Sequence, residues 1–170
     1  MNNLATQYYV KARDNYPYNL EEVLESLNYA LSYDDEYAAA HCLMGMFYVE
    51  QIRDYDKAFQ YFEQALVYDL NYLETYYHYP KALINFGDLV KARKILTYAQ
   101  SIKGICQSCI LQLQALVFEK NADFKKAKKL IEKALLISID NEEISFLNDE
   151  LKRINKKIKK RKTSVRKKTA

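Results

Sequence analysis

A chain of 170 residues with three Gly and two Pro has too few turn formers for a sandwich, a barrel or a doubly wound sheet, and reads as helices joined by short connections. Its length suits one domain with a substantial core. The net charge of +4 divides unevenly: from Lys152 onward there are eleven Lys or Arg and no acidic residue, which leaves fifteen basic against all 22 acidic residues in the body, a balance of −7.

The start, Met1 to Gln7, lacks a basic region followed by an apolar run, and no stretch reaches the roughly eighteen apolar residues of a spanning helix. Three Cys, an odd number, argue against a secreted disulfide framework and for a reducing compartment, so a cytoplasmic location is expected. The sixteen Tyr all fall between Tyr8 and Tyr98, with no Trp anywhere. Their rings can be buried while the hydroxyls stay at a wet surface, which fits a broad groove as well as a core.

In chain order, the first helix spans Leu4 to about Asn15 and is the least regular. The second opens at Asn19-Leu20, and that opening recurs as Asp54-Tyr55, Asp88-Leu89 and Asp123-Phe124, at separations of 35, 34 and 35 residues. Asn or Asp at these heads is a helix N-cap. Four residues on stand Val23, Ala58, Ala92 and Ala127; four further Leu27, Phe62, Leu96 and Ile131; three further again Ala30, Ala65, Ala99 and Ala134. The offsets 4, 4 and 3 place small, large and small residues on one helical face, where the small ones permit close approach of a neighbouring helix.

A partner helix precedes each of the later heads: about Ala38 to Gln51 with Gly45 and Tyr48 on one face, about Tyr72 to Phe86, and about Ser108 to Glu119 with Ala115 and Phe118 in the matching places. Each unit is a helix–turn–helix of about 34 residues that needs a neighbour to cover its apolar face. Pro80 inside the third of these helices predicts a kink or restart, and one extra residue sits in the turn of the second unit near Ile52-Arg53. After Ile139, Asp140 and Asn141 can cap a last helix whose stripe is Ile144, Leu147, Leu151, Ile154 and Ile158. That stripe suits a capping helix over the last open face, and its 3, 4, 3, 4 spacing also fits a short coiled-coil dimer seam. From residue 156 the chain is so basic that a disordered tail is expected.

Met44-Gly45-Met46-Phe47-Tyr48 followed by Asp54 to Leu66, and Ala122-Asp123-Phe124-Lys125-Lys126-Ala127 with Ile131 and Ala134 behind it, resemble the tetratricopeptide repeat. The resemblance covers about Leu4 to Ile139. It departs from the family where Asp35, Leu70, Gly104 and Ile139 replace the usual proline, and where Pro80 replaces a small residue. It implies an all-α superhelical solenoid of about four helix–turn–helix units plus a C-terminal capping helix. The expected organisation is a repeat domain over residues 1–155 and a basic tail over 156–170.

In this family the first helix of each unit lines the concave face. The resemblance therefore nominates Tyr8, Ala12, Cys42, Met46, Val49, Tyr77, Lys81, Asn85, Gln112 and Glu119 as groove residues for an extended or helical protein segment. The Lys, Arg and Asn clamp with which some members grip chaperone C-termini is reduced here to Lys81 and Asn85.

Chemistry is expected to be absent. Cys106-Gln107-Ser108-Cys109 has the C-x-x-C spacing, but Cys42, His41 and His78 provide no second ligand pair, so structural cysteines and no metal are expected. No glycine-rich phosphate loop and no oriented nucleophile mark a catalytic site or a cofactor. The function expected is an adaptor or chaperone-like module that binds a protein or peptide, as monomer or weak homodimer. A rival makes the basic tail (Lys156, Lys157, Lys159, Lys160, Arg161, Lys162, Arg166, Lys167 and Lys168) a weak, non-specific contact to nucleic acid, ribosome or anionic membrane. A secretion-type chaperone is a further alternative.

Overall fold

A computed structural model describes the backbone of residues 4–168 and the side chains as far as Arg161. Among the described residues it contains helices and no strand. The order is α1 (Leu4–Asn15), α2 (Leu20–Tyr33), α3 (Ala38–Phe47), α4 (Tyr55–Tyr68), α5 (Thr75–Phe86), α6 (Leu89–Ala99), α7 (Gln107–Lys120), α8 (Phe124–Ile137) and α9 (Asn141–Lys168). Between Ala82 and Leu83, inside α5, the chain divides into two compact units.

Each repeat head is a cap in fact. The side-chain oxygens of Asn19, Asp54, Asp88 and Asp123 accept the backbone N–H of Glu22, Lys57, Lys91 and Lys126 at 3.4, 3.1, 3.0 and 3.2 Å. Each cap satisfies an orphan donor and contributes about 1 kcal/mol to its helix. The three columns behind them are buried throughout: every small member is 0% exposed, and the large members are at 0 or 1%.

In the first unit α1 packs on α2 and α3 on α4, around a core of Ala12, Val23, Leu27, Ala30, Ala40, Leu43, Met44 and Phe47. Gly45 lies directly under the Phe62 ring, which stacks on Tyr79 at 5.2 Å between centroids. The extra residue of the second turn is absorbed as a π-helical turn, Tyr48–Ile52, after which Arg53 turns left-handed at φ 63°. A single π turn is the usual way for an α-helix to accommodate one inserted residue. Gly87 and Ala122, the residues before the Asp88 and Asp123 caps, also have positive φ, at 111° and 57°. A positive φ before the cap therefore recurs in three units, and only the third meets it with the residue that does so without steric cost.

Pro80 does not restart its helix: α5 runs continuously through it and begins at Thr75, three residues later than expected. Tyr72 and Thr75 are held in turns by N–H bonds to the carbonyls of Asp69 and Tyr72 at 3.2 and 3.3 Å.

In the second unit α6 and α8 pack on α7, and α9 lies against α8. Leu147 and Ile154 are buried among Ala115, Ala127, Ile131 and Ala134, with Leu151 and Ile158 packed beside them. The last apolar stripe is therefore the capping helix. The helix also continues beyond residue 156, where the charge run predicts disorder. Contacts to the second unit's own body hold it: Lys157 Nζ bonds Glu119 at 2.6 Å and Arg161 donates to the Ala122 carbonyl at 2.6 Å.

Ala92 sits at 0% exposure on α6, at a contact where a small side chain permits close approach. We expect Ala92→Trp to cost about 3 kcal/mol, since overpacking a close helix contact forces backbone shifts. An unchanged thermal midpoint would show that the column is not a contact face.

Candidate functional site: a tyrosine-lined acidic cleft in the first unit

A cleft of about 880 Å³ opens on the first unit. The C-terminal half of α1 with Tyr16 just beyond it, the ends of α2 and α4, one face of α3 and the start of α5 surround it. Tyr9, Tyr16, Tyr37, Tyr68 and Tyr72 supply its aromatic wall, and Cys42, Leu43 and Met46 its floor. Asp34, Glu36, Asp69 and Glu74 face it together with Arg13 and His78.

Local structure fixes these groups. Asp34 and Asp69 are the C-cap residues of α2 and α4. Their carboxylates accept the N–H of Glu36 and Asn71 at 3.2 and 2.8 Å, which holds both at the helix ends. Helix C-termini carry partial negative charge, so the two helix ends add to the potential of the carboxylates beside them. Arg13 is partly compensated by Asp14 at 3.2 Å, and His78 by Glu74 at 3.5 Å. Burial is the first cause that holds the His78 pKa below the usual value, against the pull of Glu74, so its neutral form is favoured in the fold.

The tyrosines are tied together. Tyr9 and Tyr72 share a hydroxyl contact at 3.3 Å, Tyr9 meets Tyr37 edge to face at 5.3 Å, and the Tyr16 hydroxyl donates to Glu50. Burial first, and these partners second, raise the pKa of Tyr16 and Tyr72; burial also raises that of Tyr9. All three remain neutral phenols with polar tips and apolar faces. Cys42 is 1% exposed, and burial pushes its thiol up to about 12. It is packing material there, not a nucleophile. His41 is buried, stacks on Tyr68 at 5.1 Å, and places Nε2 2.7 Å from the Asp35 carbonyl, which accepts its proton.

Of the residues nominated from sequence, Cys42 and Met46 line this cleft. Tyr8 stacks instead on Tyr29 and Tyr33, at 5.0 and 5.7 Å, and Ala12 is fully buried. Val49 and Tyr77 are half-buried and Lys81 is exposed, all in the first unit. In the second unit Asn85 is exposed, Gln112 half-buried, and Glu119 buried against α9, where Arg153 and Lys157 bond the same oxygen. Three of the lining residues not nominated are offset by one: Tyr9 and Arg13 are one step on from Tyr8 and Ala12, and His78 is one step on from Tyr77. The faces that α1 and α5 turn to this cleft therefore stand one residue from the nominated ones.

Arg153, Lys156, Lys157, Lys159 and Lys160 line a basic recess of about 390 Å³ on α9. Arg161 is exposed, and the side chains of Lys162, Arg166, Lys167 and Lys168 lie outside the described residues. Cys106 and Cys109 are joined by a disulfide, with Cα atoms 5.4 Å apart. No helix among the described residues is long and apolar enough to cross a membrane.

Capped antiparallel helix pairs, a small–large–small contact face and a terminal capping helix define an all-α helical repeat of the tetratricopeptide type. Solved structures agree. The chain is similar to PilF of Pseudomonas aeruginosa, at TM-score 0.73 and 18% identity, covering 91% of this chain and 73% of that one. It is similar also to MamA of Desulfovibrio magneticus RS-1 from residue 41 to its end, at TM-score 0.68 and 17% identity, covering 100% and 99%. An RS-1 MamA double mutant gives TM-score 0.67 and 17% identity, covering 99% and 98%. Both are tetratricopeptide-repeat proteins, and at these identities the likeness is one of fold. No family model matches the sequence, and no curated protein matches it.

Proposed function

We propose that the chain is a protein-interaction module rather than an enzyme, and that the cleft of its first unit receives a protein segment carrying Lys or Arg side chains. The observation that carries this reading is the lining itself. Four carboxylates and two helix C-termini surround five tyrosines, against one arginine already paired with Asp14. Such a surface favours cations twice over, through charge and through aromatic faces. Each exposed ion pair or cation–π contact contributes about 0.5–1 kcal/mol, so useful affinity needs several contacts from one segment. The apolar floor of Leu43 and Met46 adds an anchor for an aliphatic side chain of that segment.

The test is an array of short peptides matched in apolar content but carrying either basic or acidic side chains. Wild-type chain is compared with Glu36→Lys plus Glu74→Lys. Basic peptides should bind preferentially, the preference should weaken with salt, and the double reversal should cost about tenfold or more in affinity with helicity and melting unchanged. Equal binding of acidic peptides, or binding untouched by the reversal, would remove this assignment.

A further inference from the structure

In the second unit, three ligand-bearing side chains converge where α7 and α9 begin. Cys106 is the N-cap of α7, and its sulfur accepts the Cys109 N–H at 3.4 Å. One turn of helix thus brings both sulfurs to the same face, with Cα atoms 5.4 Å apart. Glu143 stands in the first turn of α9, whose end is fixed by Asp140 accepting the Glu143 N–H at 2.8 Å. Its Oε1 accepts the Ser108 hydroxyl at 2.5 Å and lies 3.9 Å from the Cys109 sulfur. The two sulfurs and the carboxylate oxygen all lie within 4.8 Å of one another, and all three residues are half-buried.

We propose that the dithiol form of Cys106 and Cys109, together with Glu143, is a binding site for a thiophilic divalent cation of the zinc class. Three arguments carry it. The distances suit the ion: Zn²⁺ sits about 2.3 Å from a thiolate sulfur and about 2.0–2.2 Å from a carboxylate oxygen, so ligands within 4.8 Å close on it with small side-chain movement. The charges are matched as well. Once the ion has displaced both thiol protons, two thiolates and a carboxylate present three negative charges, and a dication neutralises most of them. The start of α7 favours the thiolate forms, through the helix dipole and the N–H at Cys106 Sγ. Finally, the carboxylate is already oriented by Ser108, the kind of hydrogen bond that positions metal ligands and tunes their affinity.

Two thiolates select a soft or borderline ion over Mg²⁺ or Ca²⁺. Three protein ligands leave a fourth tetrahedral position for water or for a donor from another molecule.

The disulfide and the metal site exclude each other. An external dithiol that reduces the bridge passes two electrons and two protons to Cys106 and Cys109 and is itself oxidised to its disulfide. Metal binding then releases both thiol protons.

The full chain, reduced with a phosphine and freed of it, is titrated with Co²⁺ and then Zn²⁺. The expected result is one Co²⁺ per chain, with tetrahedral d–d bands, a thiolate-to-cobalt charge-transfer band and displacement by Zn²⁺. The disulfide form should show none of these. Cys106→Ser and Cys109→Ser should each remove the charge-transfer intensity expected for a thiolate pair, Ser108→Ala should weaken binding by about tenfold, and Glu143→Gln by more. Circular dichroism should show every variant folded. Absence of the charge-transfer band in reduced wild type at equimolar Co²⁺ overturns the site. Binding by Glu143→Gln as tight as wild type overturns it equally, because Glu143 would then be no more than a carboxylate at a helix N-terminus.

Discussion

Gly45→Val should lower the stability of the chain by about 3 kcal/mol, the upper end of ordinary overpacking costs, with a fall in melting temperature of roughly 10 °C. A Cβ at Gly45 would stand 2.8 Å from Cδ1 and Cε1 of Phe62 and 2.9 Å from Cγ. Those atoms belong to a ring 1% exposed, stacked at 5.2 Å on Tyr79, whose hydroxyl is held by Glu63 at 2.8 Å. The ring has nowhere to retreat. Even Gly45→Ala should destabilise, although alanine gains about 1 kcal/mol over glycine in a helix interior. The decisive measurement is the same alanine in a Phe62→Leu background, where the obstructing ring atoms are gone. There the sign should reverse and alanine should stabilise. If Gly45→Ala raises the denaturant midpoint with Phe62 in place, the close approach of α3 to α4 is not what positions these helices.

The start and the buried face of the second helix of each unit were legible to the residue, and the first helix was not, for physical reasons. In α2, α4, α6 and α8 an Asn or Asp cap fixes the start, and one face alone is covered, so the 4, 4, 3 spacing survives in the sequence. In α3, every residue from Ala38 to Gly45 is buried, and a helix covered all round carries no phase to read. In α1 and α5 the nominated face came from the family resemblance, and the cleft lining stands one residue from it, at Tyr9 and His78 beside the nominated Tyr8 and Tyr77. The carboxylates of the cleft were hidden differently. Asp34 and Asp69 sit at the ends of α2 and α4, just before the column where the family's proline is missing, so the sequence marked the place by a departure from pattern and not by a motif. The Cys106–Cys109 spacing was visible, but Glu143 is 34 residues beyond Cys109 and no periodicity links them.

Glu119 shows how such a long-range contact converts a surface-type residue into a structural one, and it gives a sharp expectation for α9. Replacing both Arg153 and Lys157 by Ala should cost about 3 kcal/mol, the lower end of what stranding a buried charge costs. The lower end is appropriate because the two cations are themselves 38% and 45% exposed and partly screened, while the Glu119 side chain is 4% exposed. Either single change should cost about 1 kcal/mol, since the other cation still reaches the same carboxylate oxygen. The pair should therefore be strongly non-additive. Loss of packing by two long side chains predicts a different pattern, additive and indifferent to the charge at residue 119. Adding Glu119→Gln to the double variant separates the two accounts. If the stranded charge is what destabilises, the neutral amide restores most of the loss in a urea titration; if packing is, the triple variant melts with the double one and the ion-pair account of how α9 is held fails.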